Sequence, residues 1–239
     1  MNKNFNDFRK ICQEGSVGGG KLRDTPIDNY PDWIMRKFSI IFTIFFVRTN
    51  ITANQISLLS ILFGIISAFL FMKGTYIYYL LASLSLFLWF VLDHSDGEVA
   101  RYKKQKSNLG HFLDKMMHSI VHPLVFLGIG FGLYNASENL YWLIFGIISS
   151  FCLFGIDLTN LNKLETQISK SLVKKNKIIP NKKNFKFNFI YQFQWILIFI
   201  IFATIFDLLP YFLVFYTLVL IFKAIISFLN TVKNVKNLR

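Results

Sequence analysis

Residues 77–133 read IYYLLASLSLFLWFVLDHSDGEVARYKKQKSNLGHFLDKMMHSIVHPLVFLGIGFGL. Two long apolar runs enclose a polar connection carrying Asp93, Asp96, Glu98 and Asp114. In hydrocarbon every backbone N–H and C=O must find its partner inside the segment, so runs of this kind fold as helices. About 20 residues then cross the bilayer core. Outward from this stretch the chain holds further runs, giving six expected spans: Ile51–Met72, Ile77–Leu92, Leu113–Leu133, Leu140–Leu158, Phe189–Phe206 and Tyr211–Phe228. Ahead of them, Trp33–Val47 is amphipathic at one end, apolar at the other and short for a span, which suits an interfacial helix. The expected fold is an all-α integral membrane protein, six transmembrane helices preceded by an amphipathic interfacial helix. Residues 1–32 form an N-terminal segment, 33–230 the membrane domain and 231–239 a basic tail.

Composition agrees with this class. Hydrophobic residues make up 54% of the chain and charged residues 16%, against roughly a quarter charged in soluble domains, and the mean hydropathy is +0.45. A net charge of +13 suggests nucleic acid only when the cations share one face of a folded domain. Here they fall in the gaps between apolar runs. Lys3, Arg9, Lys10, Lys21, Arg23, Arg36, Lys37 and Arg48 precede the first span. Arg101 to Lys115 join the second and third, Lys163 to Lys186 the fourth and fifth, and Lys223 to Arg239 close the chain. Of the 26 Lys and Arg residues, only Lys73 lies in the opposite set of connections (Gly74-Thr75, Asn135–Asn139, Asp207–Pro210). This alternation puts both termini and every basic loop in the cytoplasm, with the protein in the cytoplasmic membrane. It leaves no nucleic-acid partner to expect.

Other features are less specific. Cys12 and Cys152 are too far apart in sequence for a CxxC site and offer no disulfide framework. The first apolar run begins only near Trp33, so no cleavable signal peptide is expected. Gly15–Lys21 (GSVGGGK) lacks the spacing, the Ser or Thr and the preceding strand of a phosphate loop, and is expected to be a linker. The Lys-rich loop Asn162–Lys186, with a turn at Pro180-Asn181, fits the inside-positive pattern and attraction to anionic lipid.

Acids inside or beside membrane spans are expensive to keep, which makes each a functional candidate. If the second span continues as helix through Arg101, Asp93, Asp96 and Ala100 share one face at spacings of three and four. Arg101 lies at its edge and Glu98 points away. On the next helix Gly110, Asp114 and His118 form a second stripe. A turn around Lys106–Asn108, with Ser107 or Asn108 as helix cap, brings the stripes together. Three converging carboxylates repel one another unless a cation neutralises them, and a hard divalent ion suits such oxygen ligands. The structural alternative is ion pairing with Arg101, Lys103 and Lys115. Of the remaining histidines, His94 and His111 are expected at the interface, and His122, one helical turn from His118 and before Pro123, in a packing role, the alternative being a His118–His122 pair as a site of its own.

The segment resembles the signature of the CDP-alcohol phosphotransferase (CDP-alcohol phosphatidyltransferase) family, D-x-x-D-G-x-x-A-R, eight residues, then G-x-x-x-D-x-x-x-D. It matches at Asp93, Asp96, Gly97, Ala100, Arg101, Gly110 and Asp114 with the interval of eight kept. Upstream, Thr52-Ala-Asn54-Gln-Ile-Ser57 is similar to the family's T-P-N-x-(I/L)-T, with Ala53 in place of Pro. The resemblance covers roughly Pro31 to Leu133. The last signature acid is replaced by His118.

The resemblance implies transfer of a substituted phosphoryl group from a CDP-linked donor to an alcohol or lipid acceptor, with release of CMP. It implies Mg²⁺ or Mn²⁺, two ions, held by Asp93, Asp96, Asp114 and His118, with His118 also as the catalytic base. Arg101 would hold the diphosphate, Gly97, Ala100 and Gly110 would leave room for the nucleotide, and Asn54 would border it. Membrane lipids and a second copy in a homodimer complete the implied partners. Since imidazole replaces the last acid, two further readings stay open: an enzyme that uses another base or another reaction, and a family member that binds a CDP compound or metal without turnover.

Overall fold

The structure, a computed structural model, describes residues 2–13, 30–105, 108–173 and 193–236. These form eight helices: α1 Asn2–Gln13, α2 Tyr30–Val47, α3 Ala53–Phe71, α4 Tyr76–Tyr102, α5 Asn108–Ser137, α6 Leu140–Val173, α7 Phe193–Ile205 and α8 Leu209–Lys236. Five of them (α3, α4, α5, α6 and α8) carry stretches long and apolar enough to cross a membrane. The sixth expected span is described as α7, 13 residues, which rise only about 20 Å at 1.5 Å each; its expected start, residues 189–192, lies outside the described residues. So do the Gly15–Lys21 linker and residues 106–107 of the expected α4–α5 turn. The basic loop expected from Asn162 begins as a continuation of α6 through Val173, and its remainder lies outside the described residues.

Helix ends follow local chemistry. Thr52 caps α3: its hydroxyl accepts from the Gln55 N–H at 3.4 Å, and the Gln55 side chain accepts from the Thr52 N–H at 2.9 Å. At the other ends the chain turns through left-handed residues, Gly74 at φ 74°, Lys104 at 55°, Glu138 at 57° and Asp207 at 54°. Only at Gly74 is that conformation free of a Cβ penalty. After α4 the Gln105 N–H donates to the Ala100 carbonyl at 2.9 Å. Lys103 Nζ donates to the carbonyls of Phe46, Thr49 and Ile51 at 3.1, 2.7 and 2.8 Å, tying the α2–α3 connection to the end of α4.

Helices in lipid associate through close backbone packing and interhelical hydrogen bonds rather than through hydrophobic exclusion. α5 supplies the close approaches. Gly128 and Gly132 lie against the carbonyls of Ala68 and Phe71 on α3, and a Cβ on Gly130 would stand 2.8 Å from the Cα of Gly146 on α6. Hydroxyls tie the other pairs: Ser67 to the Ala82 carbonyl and Ser83 to Thr204, both at 2.8 Å, and Ser149 to Thr217 at 2.8 Å. Large apolar side chains such as Leu62, Phe69, Phe151, Tyr211 and Phe222 remain exposed, as lipid-facing positions should be. The chain is an integral membrane protein.

The glycine contacts give a direct test. Gly132→Val places methyls in the Phe71 carbonyl and should destabilise the protein by about 3 kcal/mol or more. Gly155→Ala, where a Cβ meets nothing within 4 Å, should leave stability unchanged or slightly raised. Thermal unfolding in detergent, followed by size-exclusion chromatography, separates the two outcomes.

Candidate metal and substrate site

The last turns of α4 and the first half of α5 carry the site. α4 continues without interruption past Leu92 to Tyr102, so Asp93, Asp96 and Ala100 do share a face. Asp93 on α4 and Asp114 and His118 on α5 each bring one donor atom into a group whose members lie within 4.8 Å of one another. His118 Nε2 stands 3.7 Å from Asp93 Oδ1 and 3.7 Å from Asp114 Oδ1. Side-chain exposure grades outward, 9% for Asp93, 33% for His118 and 45% for Asp114, so the site opens on the Asp114 side.

The donor set fits a divalent cation. Two ligands on one octahedral ion with bonds near 2.1 Å are separated by roughly 3.0 Å (adjacent) to 4.2 Å (opposite). Both histidine–carboxylate separations, 3.7 Å each, already fall in that window.

Asp96 is not in this triangle. It is buried at 8% exposure, and Ser57 Oγ from α3 donates to its Oδ2. Asp93 and Asp114 still act on it electrostatically, so it adjoins the triangle. The Thr52–Ser57 stretch therefore has a visible job: its capping box starts α3 where Ser57 meets Asp96. Asn54 lies in the first turn of that helix, partly buried.

The ion-pair alternative fails for two of its cations, which are committed elsewhere. Lys103 holds carbonyls of the α2–α3 connection. Arg101 Nε donates to the carbonyl of Cys12 at the end of α1, and its guanidinium folds back over Gly97, where a Cβ would meet Nη1 at 3.3 Å. Gly97 thus accommodates Arg101. Ala100 and Gly110 are partly buried on the two facing stripes. His94 donates from Nδ1 to the Phe90 carbonyl at 3.1 Å, with Asp93 Oδ2 3.8 Å away. The His111 side chain lies outside the described residues.

Two features were not anticipated from sequence. The first is α1 and its anchor. Glu98 points away from the metal-side stripe, and there it is buried at 1% exposure. Its Oε1 accepts from Gln13 Nε2 and Ser39 Oγ, both at 2.8 Å, and its Oε2 from Thr43 Oγ1 at 2.6 Å. One carboxylate thus joins α1, α2 and α4. The sequence signal was available: Phe5, Phe8 and Cys12 recur at helical spacing. The second is Asp157 on α6, whose Oδ2 is buried without a hydrogen-bond partner among the described residues. It interacts electrostatically with His118 and with Lys223 on α8. The cost argument that singles out Asp93 applies equally to Asp157.

A helical membrane protein with an Asp–Asp–His cluster suited to a divalent ion is the class that fold and site define. Over residues 50–230 the chain matches the CDP-alcohol phosphatidyltransferase family, and it belongs to that family. The family's activity is transfer of a phosphoryl group from a CDP-alcohol to an acceptor, with divalent metal. No curated protein matches the chain.

The Glu98 anchor is testable through Cys12. That thiol is fully buried and pushed up to about 12, first by burial and then by Glu98, with Arg101 opposing. Its thiolate at pH 8 is therefore roughly a thousandfold scarcer than that of an ordinary cysteine. In a Cys152→Ser background, maleimide should label Cys12 slowly. Glu98→Ala, which removes the acceptor that Gln13, Ser39 and Thr43 share at a cost of about 3 kcal/mol, should speed labelling at least about tenfold; equal rates would mean that Glu98 does not hold α1.

Proposed function

We propose that the chain transfers a substituted phosphoryl group from CDP-diacylglycerol or a soluble CDP-alcohol to an acceptor hydroxyl, releasing CMP, at the cytoplasmic face of the cytoplasmic membrane. The observation that carries this reading is the convergence of Asp93, Asp114 and His118 within 4.8 Å, on helices spaced as the family signature requires. Basic connections on one side support the cytoplasmic orientation, with six spans and α2 lying along the interface.

In this reading Asp93, Asp96, Asp114 and His118 hold one or two Mg²⁺ or Mn²⁺ ions. Bound there, the metal supplies positive charge to the donor's phosphate oxygens, the main requirement of phosphoryl transfer. The residues do the rest. Ser57 fixes the Asp96 carboxylate, and Asp93, nearly enclosed, stays desolvated and oriented. Gly110 and Ala100 leave the space between the stripes clear for the nucleotide, and Asn54 borders it. Arg101 reaches the diphosphate from the α1 side once its guanidinium turns from the Cys12 carbonyl. His118 Nε2 either ligates an ion or, with its lone pair left free, accepts the proton of the acceptor hydroxyl, a role imidazole fills near neutral pH.

Purified protein incubated with CDP-diacylglycerol or CDP-alcohols, mixed acceptors and Mg²⁺ or Mn²⁺ should release CMP, with the second product identified by mass spectrometry. Asp93→Asn and Asp114→Asn should lower turnover by at least about a hundredfold, as loss of charge-stabilising groups does, and His118→Ala by about 10²–10⁴. Wild-type protein that releases no CMP from any donor of a broad panel would overturn the assignment. His118→Asp separates an adapted histidine, whose loss lowers activity, from a decayed site, which the acid would revive.

A further inference from the structure

Directly behind His118, on the side away from the carboxylates, stands a second imidazole. His118 Nδ1 lies 3.1 Å from His122 Nε2, one helical turn along α5. His122 is 7% exposed. Both rings meet the fully buried Trp89 of α4 edge to face, with centroids 5.6 Å away and interplanar angles of 86° and 88°. The indole packs both rings against α4.

The two nitrogens of His118 thus have different surroundings. Nε2 faces Asp93 and Asp114; Nδ1 faces a nitrogen. A hydrogen bond between two ring nitrogens needs one proton between them, so one donates and the other accepts. Whether His118 acts as metal ligand or as proton acceptor, it must present the Nε2 lone pair, and its ring proton must then sit on Nδ1. Only one arrangement satisfies both statements: Nδ1–H of His118 donates, and Nε2 of His122 accepts.

We infer that His122 is a positioning residue, which holds His118 in the Nδ1–H form and aims its Nε2 lone pair between Asp93 and Asp114. The inference rests on the function proposed above for the role of His118, but the hydrogen bond itself does not. An imidazole needs an acceptor behind it to fix ring and tautomer; a carboxylate, with two equivalent oxygens, does not. A histidine in the last signature position therefore calls for the group that His122 supplies. Partners of this kind are worth about 10- to 100-fold in metal affinity when removed.

The test has two arms. With the four histidines labelled with ¹⁵N and ¹³C and assigned by single substitution, wild type should show His118 protonated at Nδ1, and His122 protonated at Nδ1 with a hydrogen-bonded, unprotonated Nε2. An unprotonated His118 Nδ1, with the proton on His122 Nε2, would overturn the inference whether or not any ion binds. In the second arm Mn²⁺ or Co²⁺ affinity is titrated for wild type, His122→Leu and His122→Gln, with thermal unfolding to establish that each is folded. Leu should weaken binding about 10- to 100-fold, and Gln, whose Oε1 can accept in place of Nε2, should restore most of it. A folded Leu variant that binds as tightly as wild type, or a Gln variant as weak as Leu, also overturns it. Wild type that binds no ion sinks the metal reading instead, and the resonance arm then decides this one alone.

Discussion

A carboxylate carried into the membrane on a helix must be neutralised by groups that other helices bring to it, because water is not there to do so and an uncompensated buried charge costs several kcal/mol. The end of α4 carries three such carboxylates, and each is answered differently. Glu98, on one face, receives three neutral donors from α1 and α2. Asp96 receives the Ser57 hydroxyl from α3. Asp93 meets a histidine from α5 rather than a fixed cation. Glu98 is settled as structure; Asp93 is left able to exchange its partner, which is what a metal and substrate site needs.

The same helix therefore serves two purposes on opposite faces. Its Glu98 side fastens the N-terminal helix and α2, and its Asp93 side faces α5. The distance between α4 and α5 is set indirectly, since both pack on α3. Gly128 and Gly132 allow α5 to lie against the backbone of α3, and Gly64 on α3 makes room for Val121 and Trp89. Trp89 in turn is the wall on which His118 and His122 rest. Small residues far from the polar end thus help bring three donor atoms within 4.8 Å of one another.

Some of this was legible in the chain. The stripes Asp93–Asp96–Ala100 and Gly110–Asp114–His118 follow from helical spacing alone, and α4 does continue to Tyr102 as that spacing needs. For Asp96 the fold adds what spacing does not give: the Ser57 hydroxyl of α3 donates to it, and it adjoins the triangle of Asp93, Asp114 and His118. Spacing places a side chain on a face but says nothing about which neighbouring helix offers it a hydroxyl. Asp157 carries a signal of its own, an acid in an apolar run, whereas the helical spacing of Phe5, Phe8 and Cys12 does not by itself establish α1, because a short amphipathic helix is stable only through tertiary contacts.

What the sequence determined by itself is periodic or compositional: apolar runs that must be helices in lipid, the alternation of basic connections, and the residue types at fixed spacing that define the family. What only the tertiary structure decided is the partner of each polar group: Glu98 with three donors, Arg101 with the end of α1, Asp96 with Ser57. The physical reason is that backbone hydrogen bonding makes helices locally, residue by residue, whereas the partner of a buried charge is supplied by a segment tens of residues away, and its arrival depends on the packing of every helix between.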